Sequence, residues 1–388
     1  MKIFLIGWFG AGNLGDEAIL LSELLSIREK REGVRFYILS FNRRRTERLT
    51  ANIPEVEKII GMGAKRSFLK SDFKGLLNAF KTVDIVVIGG GGIFQDIYNY
   101  YPIPFFTFMA LAARFFRKLL VFYSVGIGPV NTSIGKKMCR FAANSADVLS
   151  VRDEESRDLL SEIGVTREIH VSADPVFLLK PVWNEKVDRI VSAGDIGNYK
   201  YVIGICVQDL LFWSNLNKKI FADVLDVLRR EKGVRMVFLP FGVYQDGWFG
   251  KETSEAVDVA ASKEIADMIK GDYSILTDDI NPQELLSVIG RLDLVISMRL
   301  HGVIMGIVMG VPVIALTYRE ESKITNLMRR IEQEEELFYV DSLNTERLLE
   351  RIEYIFSKKE EIKQELKEKA SLLSKEAEKS NELLFSSL

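Results

Sequence analysis

The sequence predicts an α/β protein with two doubly wound domains that face each other across a cleft. Short apolar runs rich in valine and isoleucine alternate with helical patterns along the chain, which is typical of parallel sheets covered by helices. A polar stretch over residues 181–200 interrupts the alternation, which then begins again. With 388 residues, of which 47% are apolar, the chain is long enough for two domains that each bury a core.

In the first half, predicted strands end in glycine-rich turns. The strand at 3–6 leads into a turn with several glycines, and the strand at 83–88 ends in GGGG at 89–92. A third strand begins at residue 119 and leads into GIGP at 126–129. Because glycine buries no side chain, such turns are expected to let a ligand or another backbone approach closely.

The predicted domain boundaries follow this pattern. The first domain covers 1–180 and closes with a strand around 168–179, and the polar stretch 181–200 is the predicted linker. The second domain covers 201–345. The charged helical segment 346–388 carries an apolar stripe and is predicted to dock back on the body. Strands of the second half are predicted at 201–207, 234–239, 274–276 and 292–297.

The segment SMRLHG at 297–302 is the most informative part of the second half. It follows the strand at 292–297 and precedes a small-residue helix and another strand. Arg299 and His301 are therefore expected just beyond the carboxyl end of a parallel strand, where open α/β sheets bind ligands. A cation and a group that titrates near neutrality suit anion binding and proton transfer. The alternative is an ordinary surface charge, although the chain has only two histidines.

Other polar residues at predicted strand ends are further candidates. Asn13 lies between glycines and is expected to contact a ligand or hold the loop. Asp16 and Glu17 either cap the following helix or contact a ligand. Arg152 is a second candidate anion ligand, unless it pairs with a neighbouring acid. The remaining candidates are Asp246, in the loop after the strand at 234–239, and Lys323, which follows the acidic loop 319–322.

Composition excludes several classes of protein. Lysine plus arginine number 52 and aspartate plus glutamate 54, for a net charge of -2, which argues against a general nucleic-acid-binding protein. Cys139 and Cys206 provide no disulfide framework and indicate a reducing compartment, the cytoplasm. The first apolar run is too short for a signal peptide.

The aromatic run at 104–113 is the nearest approach to a membrane segment. It is interrupted by Arg114, Arg117 and Lys118 and falls short of the roughly 20 apolar residues that span a bilayer. A buried helix is predicted, with no transmembrane segment. The alternative is a basic, aromatic edge that rests on a membrane surface.

No cofactor is expected. Glycines 10, 12 and 15 match G-x-G-x-x-G, but the strand at 36–41 leads into Asn42 and three arginines instead of the acid that would bind a ribose. This excludes a nicotinamide cofactor. The sequence also has no clustered His, Cys and Asp spacing typical of a metal site.

Six motifs in this order resemble the polysaccharide pyruvyl transferase family, of the type that modifies bacterial cell-wall polymers. They span roughly residues 1–325 of the sequence. The resemblance implies two Rossmann-like domains in a GT-B-like arrangement, with the acceptor on the first domain and the donor on the second. The motifs are GNLGDE at 12–17, GGGG at 89–92, SVGIGP at 124–129, VRD at 151–153, ADP at 173–175 and SMRLHG at 297–302.

The resemblance also implies an activity, in which phosphoenolpyruvate donates a pyruvyl group to a sugar diol as a ketal and phosphate is released. The acceptor would be a cell-wall or secreted polysaccharide or its lipid-linked precursor, and a lipid-linked acceptor would place the enzyme at the inner membrane face. His301 and Asp16 are the predicted catalytic residues. The other assignments are Arg152, Arg299, Lys323, Gly91 and Gly92 for phosphoenolpyruvate and Asn13, Glu17 and Asp246 for the acceptor.

Two alternatives remain open from the sequence. A GT-B glycosyltransferase that uses a nucleotide sugar would hold a diphosphate with the loops of the second domain. A non-catalytic polysaccharide-binding protein would keep the same fold without turnover. The fold alone does not separate these functions.

Overall fold

The computed structural model describes residues 1–63, 69–97, 100–208, 213–242, 256–318 and 322–388. In these residues the first half forms an all-parallel sheet in the order β3-β2-β1-β4-β6-β7-β8, and β5 pairs with the second part of β6. Its strands are β1 (Lys2–Ile6), β2 (Arg35–Ser40), β3 (Val56–Gly61), β4 (Ile85–Ile88), β5 (Gly91–Phe94), β6 (Leu119–Ile127), β7 (Val148–Val151) and β8 (His170–Val171).

The second half forms another parallel sheet, in the order β11-β10-β9-β12-β13-β14. This is the doubly wound order, in which the strand sequence reverses beside the first strand of the sheet. The predicted α/β class with two doubly wound sheets is thus confirmed. The strands are β9 (Tyr201–Cys206), β10 (Val234–Phe238), β11 (Tyr273–Ile275), β12 (Leu294–Ser297), β13 (Val313–Thr317) and β14 (Leu337–Tyr339).

Helices cover both faces of each sheet, so the central strands are apolar along their whole length. The first half contains α1 (Leu14–Lys30), α2 (Arg43–Leu49), α3 (Phe73–Thr82), α4 (Pro102–Phe115), α5 (Ser133–Ser145) and α6 (Glu154–Glu162). The second half contains α7 (Glu185–Ala193), α8 (Asn215–Lys232), α9 (Val257–Ala266), α10 (Pro282–Ile289), α11 (Leu300–Val308), α12 (Lys323–Arg330), α13 (Thr345–Ser357) and α14 (Lys359–Ser386).

Three local predictions differ from the structure. The strand predicted around 168–179 is the two-residue β8 followed by a 3₁₀ helix at Pro175–Leu178, because Asp174 caps the amide of Val176 and Pro175 favours a helical start. The linker predicted at 181–200 contains α7, which buries Val187 and Ile190. The edge strands β3 and β14 were not predicted, since β3 contains the adjacent charges of Glu57 and Lys58 and β14 is only three residues long.

The last helix leaves the second sheet and packs on the first. α13 contacts α8, whereas α14 contacts β6, β7 and α1. The hydroxyl of Tyr123 in β6 donates to Asn381 Oδ1 over 2.7 Å, and Ser380 joins a buried hydroxyl cluster with Ser124 and Ser150. The C-terminal helix therefore ties the two sheets together. Among the helices of the described residues, none is long and apolar enough to cross a membrane.

Candidate active site

The loop after β1 joins the two halves at the carboxyl ends of their strands. Asn13 caps α1: its Oδ1 accepts from the amide of Gly15 over 3.1 Å, and its Nδ2 donates to Asp16 Oδ2 over 3.0 Å. The next amide, of Leu14, donates to the carbonyl of Phe241 over 2.9 Å. Asn13 thereby lies at the interface of the two sheets, and it lines a cavity of about 250 Å³ together with residues of the second half.

His301, in the first turn of α11, reaches from the second half to the first. Its ring lies against Gly15, where any Cβ would overlap the imidazole. Its Nε2 is buried, lies 3.6 Å from Asp174 Oδ2, and has no hydrogen-bond partner among the described residues. Burial alone would raise the pKa of Asp174, but His301 and Arg152 hold the pKa of that carboxyl far below its usual range. Asp174 is therefore a fixed negative charge beside the imidazole.

Two cations lie side by side over adjacent glycines. Arg152, at the end of β7, packs against Gly126 and donates from Nη1 to Asp174 over 2.9 Å. The ammonium group of Lys323 lies against Gly92, and Gly92 is the register partner of Gly126. A Cβ at either glycine would meet a cationic side chain, so a larger residue there would displace Lys323 or Arg152 from its present position.

The Lys323 ammonium is the less compensated of the two. It has no ion pair within 4.0 Å among the described residues, whereas the Arg152 guanidinium is paired with Asp174. Burial and, next, the charge of Arg152 lower the pKa of Lys323 to about 7. Lys323 is also the first residue of α12, where the helix end adds partial positive charge. These features make the region beside Lys323 a candidate anion site.

Asp16 lies beside the glycine run of the first half. One of its carboxylate oxygens is 3.5 Å from the position of a Cβ on Gly91, which adopts a φ of 92°. Burial raises the pKa of Asp16 to about 6, although His301 and the Asn13 amide oppose the shift. A carboxyl group that titrates near neutrality is suited to general acid–base chemistry.

Arg299 has a different environment from Lys323. Its Nε donates to Asp258 Oδ2 over 2.9 Å, and its Nη2 pairs with the other oxygen of the same carboxylate. Asp258 is completely buried and also accepts from the amides of Phe241 and Gly242 over 3.1 and 2.7 Å. Arg299 lines the cavity beside Asn13, but this pair already compensates its charge. Its predicted contact with phosphoenolpyruvate stays a prediction.

Glu17 points away from the cavity. Its buried carboxylate accepts from the amide of Gly10 over 3.0 Å and pairs with Arg45 Nε at 3.3 Å. Burial raises its pKa to about 7. Glu17 thus stabilises the glycine-rich loop through the amide of Gly10. It does not line the cavity beside Asn13, and its predicted role in acceptor binding stays a prediction.

Glu23 supports the second glycine run in a similar way. It is fully buried and accepts from the amide of Gly90 over 2.7 Å, and a Cβ on Gly89 would overlap it. Burial raises its pKa to about 8.

The structure brings together most of the predicted site residues. Asp246 and the acidic residues 319–321 lie outside the described residues. Two important acids were not among the predicted site residues, Asp174 and Asp258. The sequence indicated Asp174 through an Asp-Pro pair after a short strand, whereas Asp258 lies within α9 and no sequence pattern marked it.

No three His, Cys, Asp or Glu side chains in the described ranges come together as a metal site requires. That no cofactor is needed stays a prediction.

A model of polysaccharide pyruvyl transferases matches residues 13–320. The chain belongs to this family. The chain is also similar to the amylovoran biosynthesis protein AmsJ of Erwinia amylovora. The two sequences are 22% identical over 94% of each chain.

Solved structures show the same fold at low sequence identity. HepE of Anabaena, in complex with UDP-glucose, is 14% identical with a TM-score of 0.64, and 100% of each chain is covered. The UDP-GlcNAc 2-epimerase of Neisseria meningitidis, bound to UDP-GlcNAc, is 12% identical with a TM-score of 0.64 and the same coverage. The pyruvyl transferase family member therefore has a GT-B-like fold with two Rossmann-like halves.

Proposed function

We propose that this protein transfers the pyruvyl group of phosphoenolpyruvate to a sugar diol as a ketal and releases phosphate. The observation that carries the proposal is the Arg152–Lys323 pair, two cations held together over Gly92 and Gly126. Asp174 compensates the charge of Arg152, whereas Lys323 has no ion pair in the described residues and its charged form is disfavoured by burial and by Arg152. An anion bound beside Lys323 would therefore stabilise the site. Phosphoenolpyruvate carries two anionic groups, a phosphate and a carboxylate.

The cavities beside Lys323 offer space for both substrates. One of about 330 Å³ is lined by Arg152, Asp174, Lys323 and Arg330, and the other, of about 250 Å³, includes Asn13, His301 and Lys323. Because Lys323 belongs to both, the donor would bind beside it, with the acceptor entering past Asn13. The acceptor is a hydroxyl pair of a polysaccharide or of its lipid-linked precursor.

The proposed chemistry needs two proton transfers within reach of the donor. A proton is added to the methylene carbon of phosphoenolpyruvate, which becomes the methyl group, while one sugar hydroxyl attacks the central carbon and loses its proton. The bond from that carbon to the phosphate oxygen then breaks, and the second hydroxyl attacks and gives up its proton to complete the ring. Phosphate leaves, and the two hydroxyl protons balance those gained by the methyl group and the phosphate.

His301 and Asp16 are the groups we assign to these transfers. His301 has a buried Nε2 without a hydrogen-bond partner in the described part of the chain, and the carboxylate of Asp174 lies 3.6 Å from it. Asp16, whose pKa is raised to about 6, is suited to take a proton from an attacking hydroxyl. No step calls for a metal or an organic cofactor.

The test is calorimetric binding of phosphoenolpyruvate, UDP and GDP to the full-length protein at low and moderate salt. We expect phosphoenolpyruvate to bind and its affinity to fall as salt screens the two cations. Binding of UDP or GDP without phosphoenolpyruvate would contradict the proposal. That result would favour a nucleotide-sugar glycosyltransferase, for which HepE, solved with UDP-glucose, is the structural precedent.

A turnover assay separates the enzyme from a polysaccharide-binding protein of the same fold. Phosphate release from phosphoenolpyruvate is measured with and without a bacterial polysaccharide extract as acceptor. We expect acceptor-dependent release, together with pyruvate that is recovered from the polymer by mild acid. Binding without any release across the acceptors tested would favour a non-catalytic role.

A further inference from the structure

Three neighbouring helices cover one face of the first sheet. α3, α4 and α5 bury their inner sides in one apolar cluster with β1, β4 and β6. α4 packs along α5, and Phe80 of α3 stacks on Phe116 at the end of α4 with 5.9 Å between ring centroids. Their outer sides therefore form one continuous surface, which we call the α3–α4–α5 face.

Large apolar side chains are exposed on this face. On α4, Phe108, Leu111 and Phe115 follow the helical period and form one outward stripe, and Ile134 and Phe141 do the same on α5. Single exposed apolar residues are ordinary, but a group across three helices marks an interaction surface. Their exposed fractions are Phe73 45%, Leu77 44%, Phe108 60%, Leu111 40%, Phe115 81%, Ile134 72% and Phe141 57%.

The charge on this face has one sign. The three helices contain no aspartate or glutamate, although acids outnumber bases in the whole chain. Four acids that flank these helices have partners: Asp72 caps Gly75, Asp84 accepts from the amide of Lys2, Asp147 pairs with Arg114, and Glu162 pairs with Lys136. Arg114 and Lys136 are therefore partly compensated. The basic residues of the helices and of the turn after α4 are Lys74, Lys81, Arg114, Arg117, Lys118, Lys136, Lys137 and Arg140.

We propose that the α3–α4–α5 face docks on a lipid bilayer with anionic headgroups. Aromatic and aliphatic side chains enter the boundary between headgroups and acyl chains, and the lysines and arginines attract the anionic surface. This combination distinguishes the face from a protein interface, whose core is depleted of lysine. The inference concerns a surface outside the active site and does not depend on the identity of the donor.

The α3–α4–α5 face lies close to the entrance of the active-site cleft. The first turns of α4 and α5 enclose a cavity of about 250 Å³ lined by Asp96, Tyr100, Ile103 and Thr132. Asp96 accepts from the amides of Asn131 and Thr132 over 2.7 and 2.9 Å and so fixes both loops together. The preceding residue, Gln95, lines the active-site cavity. A bilayer on this face would therefore lie beside the entrance of the cleft.

The experiment is sedimentation of the full-length protein with vesicles of phosphatidylcholine, alone or mixed with phosphatidylglycerol. We expect binding to the mixed vesicles and weak binding to phosphatidylcholine alone. The double variant Lys137→Glu/Arg140→Glu should lower partitioning to mixed vesicles by at least about 25-fold, since the loss of each positive charge near an anionic surface contributes about fivefold. Phe108→Ser/Phe115→Ser should lower it roughly tenfold or more.

A matched control lies on the second half of the chain. Leu216→Ser/Lys219→Glu changes an exposed apolar residue and an exposed lysine near the start of α8 and should leave partitioning unchanged. The altered residues are exposed, so thermal unfolding and the affinity for phosphoenolpyruvate should stay at wild-type values in all three variants. Equal partitioning of the wild type and both α3–α4–α5 variants, or no binding to mixed vesicles, would overturn the proposal in favour of a protein partner or none.

Discussion

Two regions of the cleft each place a cation at the end of a strand, but they compensate its charge differently. Arg299 holds both oxygens of Asp258, which is fully buried and accepts two further backbone amides. Lys323 has no such partner in the described residues, and Arg152 beside it adds a second positive charge. The comparison teaches that the type of residue at a strand end does not identify an anion site. We expect the cation without a compensating carboxylate to be the one that binds an anion.

The largest expected effect concerns the group between these two regions. His301→Ala should lower turnover about a thousandfold, because a positioned acid or base typically contributes 10² to 10⁴. The affinity for phosphoenolpyruvate should change by less than about threefold, since the cations remain. Turnover and calorimetric binding are measured on the same preparation. His170→Ala, at the other histidine on the edge strand β8, is the control and should keep full turnover.

The next effect distinguishes the paired arginine. Arg299→Met should lower the free energy of unfolding by about 3 kcal/mol, because it leaves the buried Asp258 without its cation. Arg299→Lys should recover part of that loss. Chemical denaturation of the two variants and the wild type checks this. If stability stays unchanged while binding of phosphoenolpyruvate disappears, Arg299 acts as a donor ligand, as the sequence pattern suggests.

A smaller effect is expected at the uncompensated cation. Lys323→Met should weaken phosphoenolpyruvate binding by about thirtyfold, or about 2 kcal/mol, the scale of a charge-assisted contact in a partly buried site. Its stability should not fall, since the Met side chain removes a buried charge without leaving a carboxylate unpaired. Binding and unfolding are compared with Lys180→Met, which removes an exposed lysine that pairs with Glu29. If Lys323→Met lowers the free energy of unfolding but leaves phosphoenolpyruvate binding unchanged, Lys323 is the structural cation and not the donor ligand.

The smallest expected effect is the uptake of a proton on binding. The pKa of Lys323 is lowered to about 7, so at pH 8 the free protein holds this group largely neutral, and an anion beside it would raise its pKa. Binding should then take up as much as one proton per site, measured as the dependence of calorimetric enthalpy on the ionisation enthalpy of the buffer. Lys323→Met should bind without this uptake. Uptake that persists in the variant would assign the proton to another group.

The lowered pKa of Lys323 also makes the free energy of unfolding depend on pH. A lysine whose pKa is lower in the folded protein binds fewer protons there than in the unfolded chain at pH values between about 7 and 10.5. The free energy of unfolding therefore gains a rising contribution across that window, and below it the full penalty of the buried charge is present. Lys323→Met should lack this rise.

Much of the fold could be predicted because parallel strands that are buried on both faces consist of continuous apolar runs in the sequence. β1, β4 and β12 followed from such runs, and α11 from its small apolar residues between β12 and β13. β3 did not, because it lies at the sheet edge and the adjacent charges of Glu57 and Lys58 interrupt its apolar residues. The glycine run at 89–92 was predicted as a turn but continues into the short strand β5, whose glycines pair with β6.

The site was predictable in its residue types and less so in its pairings. His301, Arg152, Asn13 and Asp16 could be selected because each follows a predicted strand. The acids that lie beside these residues come from distant parts of the chain. Asp174 lies beside His301, and Asp258 pairs with Arg299. Such pairings depend on how two domains meet, and no local pattern records that.

The C-terminal helix has a consequence for how the molecule can move. The chain passes from one sheet to the other before α7 and returns along α14, so two covalent crossings connect the halves. Two crossings restrain twisting and sliding of one half against the other, and the two halves also share one buried apolar cluster. Arg330 of α12 already bridges the halves by donating to the carbonyls of Arg152 and Ser172 over 2.8 Å each. An anion held between Arg152 and Lys323 would add a further link across the same boundary, because Arg152 belongs to the first half and Lys323 to the second.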